Sequence, residues 1–403
     1  MKSTARAHRI PIARLVPPLL LLPLLGAGLL LAAQGPARKP PAPPAPTPAP
    51  PLPAGLAEAL RRVDQGDLAG AIAKLEAMRR GGAASPQVLT ALGALYLKAG
   101  RAADALAVLE PLAQAADANP ATLYNAGRAA FAVGRPDLGT TYLERAVAAE
   151  PASPAARELG LLYARTGRPA DAYRVLAPFA FASPGDVEAR IAAALLALHF
   201  RRTGEAEALL GGLPAKNARV QLLRGELALR KGDARTAVAL LKPLVPAGKD
   251  VQPGLTADAR RLLGEAYLGA GQPAEAIRLL AAQARIDPSA ALLLAHAQVR
   301  QGDLNAGLAT LSPWAGKILN AQYPRDPDLV ADMALSYGRM LAAAGRHQDA
   351  AAALQVATRL TPGSAEAWRD YARSLAALGR KDEADRALAR AKQAAPPPKG
   401  GKG

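Results

Sequence analysis

From Gly66 to the carboxyl end, apolar positions recur in helical phase and are interrupted at near-regular intervals by glycine. Ten glycines, Gly66, Gly100, Gly134, Gly167, Gly204, Gly232, Gly271, Gly302, Gly345 and Gly379, are each followed nine residues later by leucine. The fifth residue after each is Ala or Gly, except after Gly204, where Leu209 holds the place and Ala208 comes one residue early. Most successive glycines lie about 34 residues apart, a period of paired-helix repeats. In the stretch from Pro86 to Asn119, Ser85 can cap a first helix and Pro86 sits where a missing N–H costs nothing. Leu89, Leu92, Gly93 and Tyr96 then fall on one face. Gly100 ends that helix as an unstrained left-handed residue, and Arg101 to Asp104 lead into a second helix presenting Ala105 and Leu109. A small residue at the fifth position lets the two backbones cross. Such a hairpin cannot bury its apolar face alone, so each must stack on the next.

Several of these units carry a fuller pattern: Leu92-Gly93-Tyr96-Ala105, Leu159-Gly160-Tyr163-Ala172, Leu263-Gly264-Tyr267-Ala276-Pro288 and Trp368-Ala384-Ala391-Pro396. In residue type and spacing the chain resembles the tetratricopeptide repeat family. The resemblance implies an all-α, right-handed superhelical solenoid of about ten helical hairpins over residues 54–393, with a concave groove that takes protein or peptide segments. The matching residues are packing and turn positions, and they identify a fold rather than a chemistry. Family members that clamp a chaperone carboxyl terminus need Lys, Asn and Arg at set first-helix positions. Asn125 fits one of these, but Thr90, Ala94, Pro154 and Glu158 depart from the rest, so that ligand is not expected. The inner-face positions nearer the carboxyl end are Arg261, Glu265, Arg339, Arg369 and Arg373, a mixed-charge surface suited to a peptide or protein segment. His296 shares that register, either as a ligand contact or as a partly buried filler.

Two stretches break the period, Val245 to Thr256 and Ser312 to Leu329, and insertions in solenoids map to loops on one face. The second carries Trp314, Tyr323 and Arg325. Trp314 either contacts a partner or packs inward in place of the usual small residue.

The amino end differs in kind. Lys2, Arg6, Arg9 and Arg14 lie in a basic segment, residues 1–14, ahead of an uncharged apolar run at 15–33. Nineteen helical residues reach roughly 28 Å, close to the hydrocarbon thickness of a bilayer. The run is expected to be a signal anchor or a signal peptide cleaved near Ala33 or Ala37, with Pro17, Pro18 and Pro23 weakening its first half as a helix. The basic excess ahead of it puts the amino terminus in the cytoplasm and the repeats across the membrane. In a bacterial-type envelope this means an inner-membrane protein with a periplasmic array, or a soluble periplasmic or secreted one after cleavage. Residues 34–53 form a Pro/Ala-rich extended linker, and 394–403 a disordered basic tail.

A net charge of +17 suggests nucleic acid until its distribution is considered. Six basic residues and no acidic one precede Gly55, Lys392, Lys399 and Lys402 lie near the other end, and the remaining +8 is interleaved with acids. No basic stripe results, and no nucleic-acid partner is expected. The chain has no cysteine, hence no disulfide, thiol nucleophile or lipid-anchor cysteine. Its four histidines, His8, His199, His296 and His347, are isolated, and no metal-ligand or acid–base spacing emerges. No enzyme activity and no cofactor are expected. The resulting reading is a protein–protein interaction scaffold or assembly factor on the extracytoplasmic side of a membrane. The competing class is a glycan-binding or polysaccharide-export component, which would need stacked aromatics with carboxylates along the groove.

Overall fold

The computed structural model describes residues 52–245, 253–320 and 326–394. The basic segment, the apolar run, nearly all of the proline linker and the tail beyond residue 394 lie outside these. So do Tyr323 and Arg325. All regular structure among the described residues is helical, and none of those helices is long and apolar enough to cross a membrane.

The chain divides into two compact units between Arg190 and Ile191. The first contains α1 (Ala54–Asp64) and α2 (Leu68–Arg80), α3 (Pro86–Lys98) and α4 (Ala102–Ala113), α5 (Pro120–Ala132) and α6 (Pro136–Ala149), and α7 (Pro154–Arg165) and α8 (Pro169–Ala182). The division falls within α9 (Val187–His199), which is followed by α10 (Thr203–Leu210). The second unit continues with α11 (Ala218–Arg230) and α12 (Ala234–Leu241), α13 (Pro253–Gly269) and α14 (Pro273–Leu280), and α15 (Pro288–Arg300) and α16 (Leu304–Leu311). A short α17 (Ala315–Leu319) then precedes α18 (Pro327–Ala343) and α19 (His347–Leu360), and α20 (Ala365–Ala377) and α21 (Lys381–Ala394) close the array. The described residues thus form ten hairpins, the all-α repeat architecture expected.

Local chemistry sets each hairpin. Ser85 Oγ accepts from Val88 N at 3.3 Å and Pro86 opens α3, while Gly100 leaves it at φ +75°, with Arg101 N returning to Tyr96 O at 2.8 Å. The residue after that glycine is used again: the Arg101 guanidinium lies 4.3 Å from the Tyr96 ring centre, and Arg168 lies 4.1 Å from that of Tyr163.

The recurring leucine also has a receptor. A Cβ added to Gly225 would fall 2.5 Å from Leu241 Cγ, and one on Gly264 would fall 2.7 Å from Leu280 Cδ1. Gly93 with Leu109, Gly160 with Leu176 and Gly338 with Leu354 repeat the arrangement. The glycine in the first helix is therefore a hole, and the leucine sixteen residues later is the knob that fills it.

One hairpin corrects the expected register. Gly204 is not the turn residue; it lies inside α10, and the left-handed position is taken by Arg201 at φ +59°. Counting from Arg201, the fifth and ninth residues are Ala206 and Leu210, both buried, so the irregularity at Ala208 and Leu209 disappears. The leucine rule also fails at the end of the array: Leu388 is 42 % exposed, because no described helix follows α21 to cover it.

The insertion at Ser312 folds as a turn of 3-10 helix, Ser312–Trp314, and α17. Trp314 is only 8 % exposed and belongs with Ile318, Val330 and Leu354 to the apolar core, with Lys317 Nζ 5.0 Å from its ring centre. Of the two roles open to Trp314, the structure has the inward one.

Candidate interaction face

Helical period brings one set of polar side chains to a common register on the first helices of the second unit. Six residues before the turn residue stand Glu226 on α11, Glu265 on α13, His296 on α15, Arg339 on α18 and Arg373 on α20. Polar contacts at or beside this register cross from hairpin to hairpin. His296 Nε2 and Ser336 Oγ are 2.9 Å apart between α15 and α18. Arg300 Nη1 donates to Leu268 O at 2.6 Å, tying α15 to the end of α13. The first unit has its own cross-helix bonds, with Thr90 and Thr122 hydroxyls 2.6 Å apart and Tyr124 Oη donating to Glu158 Oε1 at 2.8 Å. Burial and that carboxylate push the Tyr124 phenol up to about 12.

The densest part of the face is charged and largely buried. Glu226 is 3 % exposed, and its Oε1 accepts both Arg230 Nε at 3.1 Å and Arg230 Nη2 at 2.8 Å. Its Oε2 is buried with no hydrogen-bond partner. Burial raises the Glu226 carboxyl above the ordinary range; Arg230 and Arg261 oppose the shift and Asp258 adds to it. Arg261 and Asp258 are themselves buried on α13. Glu265, one turn beyond Arg261, is partly buried. Burial pushes its carboxyl up to about 7, with the Glu226 carboxylate reinforcing the shift and Arg261 and Arg230 opposing it. His199 on α9 is held neutral to lower pH by burial and by Arg230.

Toward α20 the face changes character. Arg339 Nε donates to Asp370 Oδ2 at 2.5 Å and its Nη2 to Glu366 Oε1, which holds the guanidinium charged against the opposing effect of burial. Arg373 Nη1 reaches the other oxygen of Asp370 at 3.2 Å, and Arg369 Nε turns back to Ala365 O at 3.1 Å. Arg339, Arg369 and Arg373 are therefore not three free guanidiniums: Arg339 is an internal tie between α18 and α20, and only the other two face solvent. Asp332, at the start of the same face of α18, is pushed up to about 7 by burial and by Asp328, Asp326 and Glu366.

Of the residues singled out in the sequence, Arg261 and Glu265 meet in one cluster, His296 bonds to the next hairpin, Arg369 and Arg373 stay open, and Trp314 is core. Glu226, Arg230, Asp258, Ser336 and Asp370 escaped the sequence reading. Glu226 had a signal, since it precedes Gly232 by the same six residues that separate Glu265 from Gly271. No group of three or more described His, Cys, Asp or Glu residues could hold a metal ion.

Stacked helical hairpins with a polar face on the first helices define an α-repeat interaction protein. Residues 124–177 and 222–291 match one tetratricopeptide repeat family model and residues 341–399 another. These stretches are tetratricopeptide repeats. No curated protein matches it. Among solved structures it is similar to MamA, at 22 % identity over 42 % of this chain and 93 % of that one, with a TM-score of 0.34. It is also similar to a chain of the APC/C hetero-tetramer Cut9–Hcn1, at 14 % identity over 85 % and 80 %, TM-score 0.38. A tetratricopeptide repeat protein from Parabacteroides merdae ATCC 43184 aligns at 20 % identity over 60 % and 96 %, TM-score 0.34.

Proposed function

We propose that the array is an assembly scaffold that docks segments of partner proteins along the first-helix face of its second unit, on the extracytoplasmic side of a membrane. The docking role is supported by the buried Glu226 and Arg261 and the partly buried Glu265, charges that are costly to hold in such surroundings. Repeat families of this kind are non-catalytic interaction folds, and protein or peptide partners follow from the family. Export and anchoring rest on the basic start and apolar run of the sequence alone.

Two measurements test the two halves. A photocrosslinking residue at Arg369 or Arg373 should recover a partner from intact membranes, whereas one at Arg278 on α14, also well exposed, should not. Equal recovery from both faces would reject first-helix docking. A reporter active only outside the cytoplasm, fused after Gly403, should be active; activity of a cytoplasm-only reporter instead rejects export. A mature amino terminus near Gln34 or Arg38 selects cleavage over anchoring.

A further inference from the structure

Bonds between successive first helices recur in a fixed register, counted back from each turn residue. The residue six before one turn meets the residue nine before the next in three places: Arg128 Nε lies 3.6 Å from Glu158 Oε1, His296 Nε2 lies 2.9 Å from Ser336 Oγ, and Arg339 Nε donates to Asp370 Oδ2 at 2.5 Å. Arg339 also holds Glu366, thirteen before its turn. Arg157, ten before its own turn, donates to Asp186 at 2.7 Å and to Glu188 at 2.8 Å, and Glu188 again stands thirteen before the next turn residue. On α20 the same two registers carry Arg373, six before Gly379, and Arg369, ten before it. Among the described residues no first helix follows to supply their carboxylates, and both arginines bond within α20, to Asp370 and to the Ala365 carbonyl. Beside them α20 and α21 leave a groove of about 380 Å³ lined by Arg369, Ala372, Arg373, Lys381, Asp385 and Leu388. In the preceding hairpin the residues matching Ala384, Asp385 and Leu388 are Ala350, Ala351 and Leu354; all three are buried, and Ala351 packs with Ala372 and Leu375 of α20.

We infer that the carboxyl end of the array seats an amphipathic helix of a partner protein, stacked on α20 and α21 as a further first helix, with two acidic residues four apart held by Arg369 and Arg373. The inference rests on the docking role proposed for this face and names what docks at its end. The seat repeats, once more, the interface that joins α20 to the hairpin before it. The acid spacing is that of Glu366 and Asp370, the pair that Arg339 takes. Arg373 can turn from Asp370 to an incoming carboxylate because Arg339 keeps Asp370 paired. The apolar side of the docked helix covers Leu388, which is 42 % exposed where Leu354 is fully buried. Lys381 adds to the positive rim and Asp385 is the one carboxylate lining the groove, so an acidic ligand is favoured over a basic one. No segment of this sequence fits as the occupant. Residues 1–51 and 395–403 contain no acidic residue, and a second copy stacked head to tail would bring Ala57 and Pro53 to the two acid registers.

The test uses the full-length chain and two capped peptides, matched in helicity by circular dichroism. One has the sequence of residues 361–378, the helix that already sits on such a seat; the other is the same peptide with Glu366→Gln and Asp370→Asn. Competition against the fluorescein-labelled acidic peptide is followed by anisotropy. The acidic peptide should bind at least about tenfold more tightly than the amide peptide at about 0.05 M salt, the range of one charge-assisted contact, and the gap should shrink to about threefold or less at about 0.5 M. In the protein, Arg369→Ala combined with Arg373→Ala should leave the melting temperature unchanged and close the gap, while Leu388→Ala should weaken both peptides alike. Equal binding of the two peptides, or a gap that survives the arginine variant, overturns the helix seat yet leaves docking intact. If neither peptide binds while crosslinks through Arg373 still form, the same conclusion holds. A concentration-dependent dimer that the arginine variant dissolves puts a second copy in the groove and overturns the partner helix. Loss of the crosslinks is the separate failure of the docking role.

Discussion

The knob-and-hole pairing of Gly225 with Leu241 makes a quantitative demand on three variants. Leu241 is fully buried, and truncating it to alanine removes a side chain at the hairpin interface and leaves a cavity, a loss of about 2–5 kcal/mol. Gly225→Ala places a methyl 2.5 Å from Leu241 Cγ and 2.6 Å from its Cδ2, well inside contact distance. Overpacking of this kind costs about 1–3 kcal/mol, against which alanine returns about 1 kcal/mol of helix propensity. In the double variant the new methyl enters the space Leu241 vacated. The clash then vanishes and only the propensity gain remains, so Gly225→Ala should stabilise the Leu241→Ala background by up to about 1 kcal/mol although it destabilises or is neutral in wild type. The cycle should show coupling of about 1–3 kcal/mol. Repeat arrays open locally, so hydrogen exchange over α11 and α12 should be measured beside urea unfolding. Leu388→Ala is the control; it occupies the same repeat position on an uncovered face and should cost under about 1 kcal/mol. Additivity within about 0.5 kcal/mol, or an equal loss at Leu388, would refute the pairing.

Three further outcomes follow from single residues. Glu265 is raised from 4.5 to about 7, so the folded state binds the extra proton; stability should fall as pH climbs through that window and stay low above it, by on the order of 3 kcal/mol. Urea midpoints at pH 5 and pH 8 should show this slope, and Glu265→Gln should flatten it and stabilise at pH 8, with Asp332 contributing in the same sense. Arg201→Gly should raise the melting temperature by relieving the left-handed arginine, a gain of up to about 1 kcal/mol, and Gly204→Ala inside α10 should stabilise by roughly 0.5–1 kcal/mol. Gly232→Ala at φ +82° should instead destabilise, and equal responses at Gly204 and Gly232 would restore Gly204 as the turn. Arg339→Ala should cost about 1–3 kcal/mol in urea unfolding, because Asp370, its side chain only 12 % exposed, would keep only the exposed Arg373, while Arg369→Ala should stay within about 0.5 kcal/mol.

The sequence by itself determined the hairpins, their number, nine of the ten turn residues and the leucine beneath most of the turns. These are contacts between residues a fixed, short distance apart, such as Gly93 with Leu109, so period and residue size suffice to specify them. It also placed Arg261, Glu265 and His296 on one face, since helical register is local. Tertiary structure alone decided the rest. Arg201 rather than Gly204 makes the turn between α9 and α10 because stacking demands that Ala206 and Leu210 point inward, and that demand outweighs the backbone preference of arginine. Trp314 turns into the core because α18 supplies the apolar surface to cover it, a contact the sequence does not announce. Glu226 finds Glu265 and Arg261, and Arg339 finds Asp370, only where neighbouring hairpins meet, since charge pairing depends on the distance between helices and on what remains exposed to water once they pack.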